Sequence, residues 1–171
     1  MLPWRNPLVW LARLPYRKGY GIHSPYAYGL ATQVLYRPGR YYADALLDGL
    51  FPRWQHVLCR RRVACHRLLF RLANHYQPVE ILLPKGRLTQ AAYLHSGCRR
   101  ARLAEEEGRG YYTLVLADGN RVHVVYDLQR HREEWGALRM MPDVTASFDL
   151  YDMALAIADP KLNRQHYKIN W

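Results

Sequence analysis

Apolar positions along the first 77 residues recur at helical spacing. Ser24-Pro25 is a helix start: a serine hydroxyl accepts from an orphan backbone N–H, and proline lacks the one that would be left unpaired. The predicted helix runs from Pro25 to about Tyr36, with Tyr28, Ala31, Val34 and Leu35 on its apolar side, and Pro38-Gly39 ends it. A short helical piece reaches Leu50. Pro52 then opens a longer helix to about Tyr76, in which Leu58, Cys65, Leu68, Leu69, Leu72 and Tyr76 line one side. The period changes at VEILL (79–83), an almost wholly apolar run bounded by prolines, as a buried central strand requires. PKGR is a turn, and LTQAAYL (88–94) reads as a helix. YYTLVLA (111–117) and RVHVVY (121–126) read as strands on either side of Asp118-Gly119-Asn120, and 132–141 as a helix. Val144, Ala146, Phe148 and Leu150 alternate, as do Met153, Leu155 and Ile157 beyond a turn near Tyr151-Asp152, and HYKINW supplies a last strand. This order predicts an α/β sandwich with the sheet in the middle.

Composition narrows the function classes. At 171 residues, half of them hydrophobic, the chain suffices for one compact domain with a real core. Lys+Arg 25 against Asp+Glu 14 gives a net charge of +11, which favours a phosphate-bearing or otherwise acidic partner. Arg60, Arg61, Arg62, Arg67 and Arg71 would form a basic stripe on one helix, a possible surface for an anionic partner such as a nucleic acid. Charge runs are more often solvated faces. Cys59, Cys65 and Cys98 show no Cys-x-x-Cys spacing, so neither a disulfide framework nor a zinc ribbon is indicated, and a reducing, cytoplasmic setting is expected. The early apolar run Leu8 to Ala12 is too short for a signal-peptide core or a membrane span. His-Glu-x-x-His, Gly-x-Ser-x-Gly and P-loop patterns are absent.

RKGYGIHSPYAYGL (17–30), LLFRLANHYQPVEILL (68–83), the ADGN turn and the ending VTASFDLYDMALAIADPKLNRQHYKINW together resemble a family of class I S-adenosylmethionine-dependent methyltransferases of Bacteroidetes-type bacteria. In that family an N-terminal helical extension carrying R-G-x-G-x-H-S-P-[FY] precedes a Rossmann-like sheet. The resemblance implies a truncated Rossmann-like class I methyltransferase sheet with an N-terminal helical extension (1–77) packed on a shortened core (78–171) that ends in antiparallel strands. It also implies S-adenosylmethionine as cofactor if the chain is active, and no cofactor otherwise. Tyr20, His23 and Ser24 would then fold over the carboxyl edge of the sheet and help close a substrate pocket. As a purely local feature, Gly19 and Gly21 permit a tight bend and His23 meets a backbone group.

The departures from the family fall where its chemistry lies. Its first strand is followed by an acidic residue and a glycine-rich loop, because backbone N–H groups there approach the cofactor closely. This chain has Leu83-Pro84 in place of the acid and Gly86 as the single glycine of the loop. The carboxylate expected after the second strand has only Glu105, Glu106 and Glu107 as counterparts, in a run that reads as a solvated turn or helix end. Asp118, Asn120 and Asp127 are the best chemical constellation, if they stand at the carboxyl ends of neighbouring strands where α/β sheets place ligands. Related O-methyltransferases hold a divalent metal with such oxygens, although no metal is expected here. Asp118 and Gly86 are the cofactor-binding candidates. The same residues also have plain structural readings, since Asp-Gly-Asn makes an ordinary turn and Asp127 a helix cap. The expectation is a methyltransferase-like protein, degenerate in cofactor binding, with a binding or scaffold role. The alternatives are an active methyltransferase with an atypical loop and a basic nucleic-acid-binding protein.

Overall fold

The computed structural model describes residues 7–16, 21–37, 41–49 and 60–171. Among these, the strands β1 (Glu80–Pro84), β2 (Arg102–Glu106), β3 (Tyr111–Val115), β4 (Arg121–Tyr126), β5 (Ala146–Asp149), β6 (Met153–Ala158) and β7 (Gln165–Lys168) form one seven-stranded mixed sheet in the order β2-β1-β3-β4-β6-β5-β7. The helices are α1 (Pro7–Ala12), α2 (Pro25–Leu30), α3 (Tyr42–Asp48), α4 (Arg60–Tyr76), α5 (Leu88–Gly97) and α6 (Arg132–Met140). Mixed α/β architecture is thus what the alternation of periods predicted. Pro38-Gly39, Tyr20 and the stretch from Pro52 to Cys59 lie outside the described residues.

Chain length dictates the strand directions. β1 and β2 are parallel, joined through α5 by a crossover long enough to return the chain to the starting edge. Residues 116–120 are too few for such a return, so β3 and β4 pair as an antiparallel hairpin closed by Leu116 N–H to the Asn120 carbonyl (2.9 Å), with Gly119 at φ +85°. β2 ends at the carboxyl edge and residues 107–110 are likewise too few for a return, so β3 starts at that edge and runs antiparallel to β1, and β6 runs antiparallel between β4 and β5. β2 was not foreseen as a strand. Its Arg102–Glu106 stretch is polar because it lies at the sheet's edge, which removes the apolar signal of a central strand.

Alternation along the strands divides the core. Val122, Val124, Leu155, Ile157, Phe148, Ile81 and Leu83 face the helices that precede β1, together with α5, in one apolar core shared with Leu68, Leu69, Leu72 and Leu94. Val125, Ala154 and Ala156 face the opposite way, under Trp135 and Leu138 of α6. α5 lies close on α4: a Cβ placed on Gly97 would come 2.9 Å from the Ala73 Cβ and closer still to the Phe70 carbonyl. Ser24 caps α2 as predicted, accepting from the Ala27 N–H at 3.4 Å, and α2 runs on into a π-helical turn at Ala31–Leu35. The chain end closes the layer. Trp171 Nε1 donates to the Leu35 carbonyl (2.6 Å), and Arg13 pairs with Asp149 at 2.9 Å.

Candidate functional site: an arginine-lined crevice at the carboxyl edge

The sheet's carboxyl edge, where β1 and β4 end and β3 begins, carries a crevice of about 320 Å³. Four segments converge there. The first turns of α4 contribute Arg62 and, one turn further on, His66; the start of α5 contributes Arg87, Thr89 and Gln90; β3 and its approach contribute Gly110 and Tyr112; and the end of β4 with the turn after it contributes Tyr126, Asp127, Arg130 and His131. α/β proteins place ligands at such strand ends. Asp127 adopts φ +57° and begins a turn in which the Arg130 N–H donates to its carbonyl (2.9 Å). That turn directs residues 127–131 over the crevice.

Three guanidiniums line this crevice and face one carboxylate. Arg130 Nε lies 3.3 Å from Asp127 Oδ2, whereas Arg62 and Arg87 have no carboxylate within ion-pair distance among the described residues. His66 is 2 % exposed, stacks on Tyr93 and Tyr126, and has its Nε2 at 3.0 Å from the Tyr126 hydroxyl. Burial, aided by the Arg62 charge, pulls its pKa down to about 4, so the ring is neutral near pH 7. Burial pushes the Tyr126 phenol well above its ordinary value. It raises Tyr112 to about 12, with the Arg87 charge pulling the other way. At the rim His131 Nδ1 is 3.4 Å from Glu134 Oε2, and this pair lies directly over Gly110, in the space a side chain would occupy. The arrangement has cations, buried neutral hydrogen-bonding groups and a first helical turn. It suits holding an anion.

Asp118, Asn120 and Asp127 do not form one site. β4 separates them: Asp118 and Asn120 lie in the β3–β4 hairpin at the amino edge of β1, and Asp127 at the carboxyl edge, roughly 20 Å away at about 3.3 Å per strand residue. Asp118 is exposed and accepts from the Asn120 backbone N–H (3.1 Å) and Nδ2 (2.9 Å), the plain turn role. The short link from β2 to β3 is the cause, because it starts β3 at the carboxyl edge and sends its end away from the crevice. Among the described residues no group of three His, Cys, Asp or Glu side chains could hold a metal ion.

His23 and Ser24 lie away from the crevice too. The Tyr26 hydroxyl meets at 2.8 Å that of Tyr76, the last residue of α4 just ahead of β1, which places the start of α2 at the amino edge of β1. His23 is exposed there, and Tyr20 lies outside the described residues. Gly86 adopts φ +77° in the three-residue turn between β1 and α5, exposed and with open space around it. The acidic run is engaged locally: Glu107 pairs with Lys85 at 2.8 Å and Glu106 with Arg109 at 2.7 Å.

No family model matches the chain, and neither a curated protein nor a solved structure resembles it significantly.

The arginine stripe also divides. Arg61 binds Asp152 and the Trp171 carbonyl; Arg71 is largely buried, donates to the Arg37 carbonyl (3.2 Å) and is attracted by Asp44; Arg62 points to another side of α4, into the crevice. The Arg60 side chain lies outside the described residues. Arg87 and Arg130 were not singled out from the sequence. The available signal was weak: a cation beside a helix start at Gly86-Arg87, and Arg62 four residues before His66 on one helical face.

Proposed function

We propose that this protein is a class I methyltransferase-like chain that no longer transfers methyl groups and acts by binding, its carboxyl-edge crevice taking a small polar ligand in place of S-adenosylmethionine. The observation that carries the reading is the make-up of the crevice, with Arg62, Arg87 and Arg130 set against Asp127 alone. S-adenosylmethionine carries a sulfonium and an ammonium charge against one carboxylate, a net cation that a group of guanidiniums repels overall. The residues present do not fit it. Arg87 stands at the start of α5, where close backbone approach needs small residues, and Glu106 and Glu107, the nearest substitutes for a ribose-holding acid, are paired with Arg109 and Lys85.

Support for the ancestry comes from the parallel β1–β2 pair linked through α5 and from the β5–β6 hairpin near the chain end. The antiparallel β3 departs from it. A nucleic-acid surface has less support, since Arg61 and Arg71 are tied into the fold and Arg62 points into the crevice. Calorimetric titration with S-adenosylmethionine and S-adenosylhomocysteine at moderate salt tests the reading. The expected result is no saturable heat; micromolar binding that Arg87→Glu alters would restore the enzyme.

A further inference from the structure

The crevice gathers in one concavity cations that meet no carboxylate among the described residues, while several elsewhere in the fold are paired. Arg13 meets Asp149, Arg61 meets Asp152, Arg102 meets Glu80 and Arg109 meets Glu106. Arg62 and Arg87 face a shared cavity without such partners, and Arg130 reaches it with only the Asp127 pair at 3.3 Å. Like charges gathered round one concavity repel, and a bound anion removes that cost. A second observation comes from the backbone: α5, ten residues long, begins at the crevice, and no side chain caps its first turn. Its leading N–H groups and positive dipole end therefore add to the field of the arginines.

We infer that the crevice is a binding site for a small phosphate ester, its phosphate held by Arg62 and Arg87 at the start of α5 and its polar organic part by Thr89, Gln90 and Tyr126. Guanidiniums match phosphate oxygens through paired N–H donors, which suits a compact dianion better than a dispersed charge. About 320 Å³ falls at the small end of ligand-pocket sizes, enough for a phosphate with a small organic group. The lining is polar, with Tyr112 and His66 closing it below as neutral groups, so the organic part is a hydroxylated one and not an acyl chain. The inference rests on the crevice being a ligand site, as proposed above, and is independent of the ancestry in that reading.

The experiment is calorimetric titration of the full chain at low salt with inorganic phosphate, glycerol 3-phosphate and adenosine monophosphate, beside S-adenosylmethionine and a single-stranded oligonucleotide. Saturable binding of at least one ester is expected, weakened about tenfold or more by Arg87→Gln and by Arg62→Gln while the urea midpoint of each variant stays near that of the parent. Absence of saturable binding for all the phosphates, or binding that both substitutions leave unchanged, overturns the inference. So does an oligonucleotide bound through these arginines more tightly than any monoester, which would make the crevice part of a backbone-phosphate surface. S-adenosylmethionine binding with phosphate binding intact would sink only the loss of cofactor proposed above.

Discussion

Gly110 shows how one missing Cβ shapes the crevice. The His131–Glu134 pair occupies the space beside it, with Glu134 Oε1 placed 2.7 Å from where a Cβ would stand. A carboxylate at the end of a flexible side chain can swing aside, so Gly110→Ala is expected to cost less than about 1 kcal/mol in urea denaturation. Ligand affinity is expected to change all the same, because the displaced pair forms the rim. His66 and His123 make a second residue-scale case. Both are buried, His123 against the Thr113 hydroxyl at 3.0 Å, and burial lowers each pKa to about 4. In the unfolded chain both titrate near 6.5. The unfolded state thus binds more protons below that pH, and the stability of the neutral rings, present in full above about 6.5, is lost as pH falls toward 4. Each ring accounts for on the order of 3 kcal/mol across that window. The urea midpoint should decline from pH 6.5 downward, before most carboxylates protonate, and a His66→Asn, His123→Asn double variant should show a flatter decline.

Helix pairs and chain ends carry the element-scale predictions. α4 and α5 approach at Gly97, where a methyl group would press on the Ala73 Cβ and the Phe70 carbonyl. Alanine is favoured over glycine inside a helix by about 1 kcal/mol, yet overpacking against backbone costs about 1–3 kcal/mol, so Gly97→Ala should destabilise. Equilibrium urea unfolding checks the sign. Arg13 ties the first described helical segment to the sheet through Asp149 and the Ile169 carbonyl, and the Asn170 N–H donates to the Tyr16 carbonyl at 3.0 Å. Both partners of that ion pair are largely buried. Arg13→Ala leaves a shielded carboxylate with the Tyr151 N–H as remaining donor, a cost of about 2–3 kcal/mol for the lost charge-assisted hydrogen bonds. Faster hydrogen exchange at Asn170 should accompany it, because the segment holding its acceptor is released.

For the whole molecule, ligand linkage is the test that reads every level together. Anything bound only by the folded chain stabilises it according to its concentration over its dissociation constant, by about 1.4 kcal/mol at ten times that constant. In a chain of 171 residues this corresponds to a rise of roughly 3–6 °C in the unfolding midpoint. A phosphate ester at that level should raise the midpoint of the parent chain and leave that of Arg87→Gln near its unliganded value, as thermal unfolding will show. Added chloride should erode the shift, since the arginines are exposed at the crevice mouth and surface charges are screened.

By itself the sequence determined most of the local elements and the α/β class. Apolar period distinguished the helices before Tyr76 from VEILL and the later strands, Ser24-Pro25 marked a helix start, and Asp118-Gly119-Asn120 marked a turn between two strands. These are short-range matters of propensity, capping and turn chemistry. Polar edge strand β2 escaped, because an edge does not require the apolar run by which a central strand is recognised. Only the tertiary structure decided which side chains share a site. Asp118 and Asp127 are nine positions apart and lie at opposite edges because β4 runs from one edge to the other between them, while Arg62, Arg87 and Arg130, far apart along the chain, meet where α4, α5 and the end of β4 reach the same edge. That meeting depends on strand order and helix direction, global properties that no local pattern encodes.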